Sequence, residues 1–397
     1  MKALSFDGSG FEYFKIWIVN MLLTIVTLGL YHPWAKVRKQ RYFYGNTKLE
    51  GRNFDYHATG KQLFIGYLIS MGLLIVYIVI QQISPILSAI LLVVFLLALP
   101  WIIWRSIKFN MSVTSFSNVR FGFDGGLGGA YFVYMLMPII TFISLYLPIV
   151  IVAATTWFLG GSLGVVAGVV TGLAVIISVI FVFFMYGLLK QKSNSYFINA
   201  SRYGQGQFST QLKAGVFAKI AAKTLGLSLL VLILYSIFLA IIAHVSGVST
   251  VLLGLVGSLQ DPEAINEVLL QSGVLMLVAL LYLGFIFISV IIYSYLYTRQ
   301  REYVLANSKL DKEISFQSTL SARKLAFISV TNFIAIIFTL GLAIPWASVR
   351  MTRYLLEHTR VDTSHGFEQY VTRQQEKQSS LGDQIGDAFD VDVGIGI

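Results

Sequence analysis

The chain has 397 residues, of which 56% are hydrophobic and only 12% charged. Soluble domains carry roughly 45–50% and about 25%, so with a mean hydropathy of +0.74 this composition excludes a water-soluble globule and calls for a bilayer. A net charge of +10 needs no nucleic-acid partner, because membrane proteins gather bases in cytoplasmic loops, and the absence of cysteine removes disulfides and thiolate chemistry.

In chain order, the first apolar segment covers about 16 to 35 and leads into a basic stretch with Lys36, Arg38, Lys39, Arg41, Lys48, Arg52 and Lys61. Lys and Arg are then absent from 62–104, 121–189 and 224–298, stretches of 43, 69 and 75 residues. Each holds two helices of about 20 residues and reads as a transmembrane hairpin. The reversals fall at Gln81 to Pro85, at Gly160 to Gly164, and at Asp261 to Glu267. The intervening basic segments belong in the cytoplasm by the positive-inside rule. A last apolar segment, about 325 to 349, precedes Arg350, Arg353 and Arg360. The first and last segments either span, which puts these bases outside, or re-enter at Gly29 and Gly341 with both termini cytoplasmic. Charge parity favours re-entry.

The two end segments are copies at an offset of 312: Asn20, Thr27, Leu28, Gly29, Leu30, Pro33, Trp34, Arg38, Arg41 and Tyr42 recur as Asn332, Thr339, Leu340, Gly341, Leu342, Pro345, Trp346, Arg350, Arg353 and Tyr354. Weaker copies place an aromatic, then Thr or Ser five residues on, then Phe seven or eight later: Phe109, Thr114 and Phe121; Tyr196, Ser201 and Phe208; Tyr303, Ser308 and Phe316. The fifth copy takes Phe367 as this last residue. Pro and Trp stop a helix at the interface, the bases meet lipid phosphate, and the alternation after Thr47 predicts a short β-hairpin. Gathered on one face, such hairpins can pair edges into a small cytoplasmic β-layer. Phe6, Asp7, Gly8 and Gly10 resemble the tail half of the unit, as in Phe123, Asp124, Gly125 and Gly126. The expected fold is all-α and polytopic, with six full spans in three hairpins, two apolar segments that re-enter or span, and repeated cytoplasmic β-hairpins. Its divisions are 1–61, 62–128, 129–213, 214–324 and 325–373, then a flexible acidic tail over 374–397 with Asp383, Asp387, Asp390 and Asp392.

The opening FDGSGFEYFKIWIVN, the run TLGLYHPWAKVRKQRYFYGNT with its later copies, and the closing AFDVDVGIGI resemble the YjgN-type bacterial inner-membrane proteins, a domain family of unknown function. The resemblance implies a multi-pass inner-membrane protein of uncharacterised activity. It also carries an association with membrane metallopeptidases as partners. It supplies no catalytic residue.

Little else reads as chemistry. Gly160 to Gly164 match G-x-S-x-G, but between two membrane helices the motif lacks its strand-turn-helix context. Gly160, Gly164, Gly168 and Gly172 lie four apart and read as a helix-packing face. His32, His57, His244, His358 and His365 form no metal-ligand spacing, and no cofactor is expected. Asn20 and Asn332 are the candidate intramembrane polar residues, for packing or for a pathway. Trp34, Arg38, Arg41, Trp346, Arg350 and Arg353 are the candidate interface and lipid-phosphate residues. Two functions stay open: a transporter or channel-like protein for a small solute or lipid, and a non-transporting scaffold or lipid-organising protein partnering a peptidase. A membrane enzyme ranks below both for want of a nucleophile, metal set or paired carboxylates.

Overall fold

A computed structural model of the protein describes residues 1–158, 165–249, 272–311, 313–364 and 366–377. The repeated unit appears as one local construction used five times. A helix runs down to an aromatic residue, and one turn later a Thr or Ser ends it: Thr47, Thr114, Ser201, Ser308 and Thr359 each donate a hydroxyl hydrogen bond of 2.7–2.8 Å to the carbonyl four residues back. That bond satisfies one of the carbonyls that a helix end orphans. All five hydroxyl residues are buried, and each is the first residue of a strand.

Those strands are β3 (Thr47–Leu49), β5 (Thr114–Phe116), β7 (Ser201–Tyr203), β9 (Ser308–Leu310) and β11 (Thr359–Val361). The first four fold back through tight turns into β4 (Arg52–Tyr56), β6 (Val119–Phe123), β8 (Gly206–Thr210) and β10 (Ile314–Ser318). Glu50 and Gly51 have φ of 51° and 77°, and Ser117 and Asn118 have 49° and 67°. Paired left-handed residues are the backbone that twists a two-residue turn to match its strands.

Among the described residues the fifth unit has no such second strand after it. Residues 2–6 supply it: β1 (Lys2–Ala3) pairs with β11 and β2 (Ser5–Phe6) pairs with β3, both antiparallel. The 11-stranded order therefore begins at β1 and ends at β2, with only Leu4 between them in the chain. The sheet closes on itself into a near-barrel. All-α is accordingly corrected to helices upon a closed sheet. A lone hairpin is marginal in water and an open edge is a hazard, and closure removes both problems.

The ring interior is apolar. Leu49, Phe116, Tyr203, Leu310 and Val361, the third residues of their strands, are buried and pack with Leu4, Phe54, Phe121, Phe208 and Phe316. One mouth is filled by a helix over 367–377, whose Phe367, Tyr370 and Val371 belong to the same core and whose Gln374 is also buried. Polar contacts hold its rim. Gln205 donates its N–H to Gln374 Oε1 (2.9 Å), Gln375 Nε2 donates to the Ser117 carbonyl (2.6 Å), and the Tyr370 hydroxyl donates to Asp311 (2.7 Å). Two expectations are corrected here. Phe367 opens this helix and belongs to no second strand, and 374–377, placed in a flexible tail, end it. The rest of the acidic tail lies outside the described residues.

Among the described residues six helices are long and apolar enough to cross a membrane: Gly60–Ile83, Pro85–Ser112, Leu127–Thr155, Gly168–Asn199, Ala214–Val245 and Gly273–Ala306. At most 17% of the most apolar window of any one is buried, so these surfaces need lipid to cover them. The reversal residues Gly160 to Gly164 and Asp261 to Glu267 lie outside the described residues.

Each end segment is two helices joined through a glycine turn. Helix α1 (Gly10–Val26) turns through Gly29 (φ +90°) into α2 (His32–Gly45), and a helix over Ala322–Phe338 turns through Gly341 (φ +93°) into one over Ile344–Glu357. Each Gly N–H reaches back five residues, to Thr24 and to Ile336. The strands on either side of each end segment, β2 with β3 and β10 with β11, are hydrogen-bonded neighbours. Each segment therefore leaves the sheet and comes back to it.

By contacts the chain divides into two units. Met1–Ala218, Arg301–Leu320 and Ala335–Ile397 form the first, which holds the whole sheet; Lys219–Gln300 and Ser321–Ile334 form the second. Within the second, the Tyr235 hydroxyl donates to the Leu280 carbonyl and its ring lies against Gly284.

Candidate functional site

The helices of the unit that carries the sheet end at the ring mouth opposite the 367–377 helix, and a chamber of about 500 Å³ remains there. Its floor is four phenyl rings, Phe54, Phe121, Phe208 and Phe316, one from each complete hairpin. Its walls are last-turn residues of the descending helices: Tyr44; Ile107, Asn110 and Met111; Phe197 and Ile198; Leu305. Phe54 and Phe121 stack at 6.4 Å and Phe208 and Phe316 lie 6.0 Å apart.

Several polar atoms in this wall are already committed. Thr114, Ser201 and Ser308 point their hydroxyl protons at helix carbonyls, and Asn110 Nδ2 donates to the Ser106 carbonyl at 2.8 Å. What faces the space is mostly carbon. Its volume is in the range of roughly 300–1,000 Å³ typical of small-molecule sites, and its lining suits a hydrocarbon chain. No group of three or more His, Asp or Glu residues able to hold a metal occurs among the described residues.

Most candidate residues singled out from the sequence belong to the two end segments, and none of them lines this chamber. Asn20 is buried and donates Nδ2 to the Ala35 carbonyl at 3.4 Å, which ties α1 to α2, while its Oδ1 is buried without a partner. Asn332 is buried at the matching place. Trp34 packs on Phe64 at 4.9 Å and covers Gly60; Trp346 lies 5.1 Å from Phe14 and covers Gly10. At both glycines an added Cβ would strike the indole ring, so the Pro-Trp corner clamps the first residue of a neighbouring helix.

Arg41 donates Nη2 to the Ala58 carbonyl at 3.0 Å and Arg353 donates Nη2 to the Gly8 carbonyl at 2.8 Å. Both carbonyls follow a second strand, so the two arginines repeat one bond. Arg38 lies 5.7 Å over the Tyr31 ring, and Arg350 is exposed. Gly164 lies outside the described residues. Gly168 has no atom within 4 Å of a Cβ position, and neither has Gly172, so this part of the glycine stripe meets no neighbour among the described residues.

The chamber was not foreseen from the sequence, although its floor was in view as the Phe seven or eight residues after each Thr or Ser. Four of those five rings meet there, and the fifth, Phe367, lies in the helix that fills the opposite mouth.

A family described as bacterial protein of unknown function (DUF898) matches residues 1–388. The chain is 30% identical over 365 residues to the inner membrane protein YjgN of Salmonella typhimurium, covering 90% of this chain and 88% of the relative. It is 25% identical over 360 residues to the inner membrane protein YjgN of Escherichia coli O157:H7, covering 89% and 87%. No solved structure matches it.

Proposed function

We propose that this chain, which belongs to the DUF898 family and is a multi-pass inner-membrane protein, binds lipid at the sheet end of its helices, with the chamber taking one apolar chain. The observation that carries this reading is the floor of four phenyl rings beneath walls of helix ends. A chain moving out of the bilayer gains little hydrophobic energy, because lipid tails are as apolar as the pocket. Affinity then comes from close dispersion contact with the rings, which a fluid bilayer does not match.

The lipid-organising reading draws more support than transport. A solute path along the ring axis meets the packed layer of Phe116, Tyr203 and Leu310 and then the 367–377 helix. A metallopeptidase partner is carried by family association alone.

Sidedness follows from charge. Lys48, Arg52, Arg120, Arg202, Lys309 and Arg360 all lie on the sheet, and positive-inside bias puts such a layer in the cytoplasm. A reporter active only in the periplasm, fused after Ile397, is expected to stay silent; activity there would mean that the last segment crosses.

The lipid reading is tested with a phospholipid bearing a diazirine near its chain end, incorporated into vesicles with the full-length protein. Crosslinks are expected to concentrate on 106–111 and 305–316. Asn110→Phe, which fills the space, should remove most of them without altering the helix content. Labelling spread evenly over the six spans, and unchanged by Asn110→Phe, would sink the proposal.

A further inference from the structure

We infer that the groove between α1 and α2 is a binding site for the headgroup phosphate of an anionic phospholipid. The groove has a volume of about 590 Å³ and is lined by Lys15, Ile16 and Val19 of α1 and by Arg38, Arg41 and Tyr42 of α2. Three cations therefore face one space. Among the described residues none of them has a carboxylate within ion-pair distance. The Lys15 ammonium lies 4.6 Å over the Phe11 ring, Arg38 lies over Tyr31, and Arg41 commits one nitrogen to the Ala58 carbonyl. A guanidinium has five N–H donors, so most of their bonding capacity is left for an anion. The acid on this part of α1, Glu12, accepts from the Ser9 N–H and the Tyr42 hydroxyl.

The shape of the groove selects a lipid over a free anion. Lys15 is five residues into α1, about 7.5 Å above its start at ~1.5 Å per residue. Beyond it Val19, Leu22 and Val26 follow one helix face and are 45%, 54% and 78% exposed. A phosphate held by the cations would leave its acyl chain lying along this stripe. Inorganic phosphate would cover none of it. The site is separate from the chamber and does not rest on it; chamber crosslinking reads the one, and the response to headgroup charge reads the other.

The test uses full-length protein delipidated in a neutral detergent and titrated with phosphatidylglycerol, with phosphatidylcholine, or with inorganic phosphate, reading the thermal midpoint and the lipid retained. Phosphatidylglycerol should raise the midpoint at concentrations where the other two do not. The double variant Lys15→Gln with Arg38→Gln leaves the Arg41 bond intact. It should need about tenfold or more phosphatidylglycerol for the same response, given that a direct hydrogen bond to a charged group contributes roughly tenfold or more. Arg38→Lys should keep most of the response. Lys36→Gln with Lys39→Gln removes the same charge from α2 outside the groove and should shift it less than about twofold. Equal shifts from the two doubles would reduce the effect to general charge attraction and overturn the site, and so would an equal response to phosphatidylcholine or to inorganic phosphate.

Discussion

Removing residues 2–6 is expected to open the sheet between β11 and β3 and to cost at least about 5 kcal/mol. The deletion takes away the buried Phe6 ring, and losing a core Phe alone costs roughly 3–5 kcal/mol. It also removes the pairing of β1 with β11 and of β2 with β3, the Leu4 N–H bond to the Thr359 carbonyl at 3.0 Å, and the Lys2 to Glu50 ion pair at 2.9 Å. Each lost hydrogen bond adds about 1 kcal/mol. The Lys2 ammonium is what chiefly holds the Glu50 carboxyl below the usual carboxylate range. Since whole domains are stable by only about 5–15 kcal/mol, the ring should not persist. Trypsin should then cut at Arg360, which is bonded inside the closed sheet, and the melting midpoint in detergent should fall. Resistance at Arg360 equal to that of the intact chain would show that closure contributes little.

Val371→Asp is expected to expel the 367–377 helix while leaving the sheet closed. Val371 is fully buried in the ring core, and an unpaired carboxylate there costs several kcal/mol, more than the helix can recover from its rim contacts. Arg373 and Lys377 should become sensitive to trypsin while Arg360 stays protected. Arg373→Gln is the contrast. Its pair with Glu313, 3.5 Å apart, has side chains 58% and 53% exposed, and such pairs contribute only about 0–1 kcal/mol. The docking should also depend on pH in one direction. Burial, and then the bond to Asp311, push the Tyr370 phenol above its ordinary value. Release returns the phenol to water, where it loses its proton near its usual pKa of about 10. Docking is therefore insensitive to this group below that pH and weakens as pH rises through it. A protease-sensitivity profile at 373 and 377 that is flat up to pH 11 would contradict this.

The spans and the hairpins were legible because each rests on a local pattern. Charge-free stretches of 43 to 75 residues mark the helices, and Thr or Ser after an aromatic marks the point where helix gives way to strand. Ring closure was only half legible. Phe6, Asp7 and Gly8 match Phe123, Asp124 and Gly125, which points to a second strand with no first strand before it, yet nothing local says that its partner is Thr359–Val361. The helix at the ring mouth carried a signal that went unread: Phe367, Tyr370, Val371 and Gln374 fall at i, i+3, i+4 and i+7. Polar neighbours hid it, and Phe367 was absorbed into the repeat. The chamber showed only the repeated Phe of its floor, because its four phenyl rings come from four units and meet only when the ring exists.

The closing strand also sets a clock. Residues 2–6 leave the ribosome before the rest of the ring and β11 leaves after it, tens of seconds later at roughly 5–20 residues per second. Through that interval Ser5–Phe6 has β3 available while Lys2–Ala3 has nothing to pair with, and each new hairpin extends an arc whose advancing edge stays open. A ribosome that stalls, or a transcript that ends early, yields an arc that can never meet its own beginning. Such a product carries exposed strand edges of the kind that aggregate or recruit proteolysis. Completion of the ring is thus verified by geometry, with its earliest strands acting as the latch for its last.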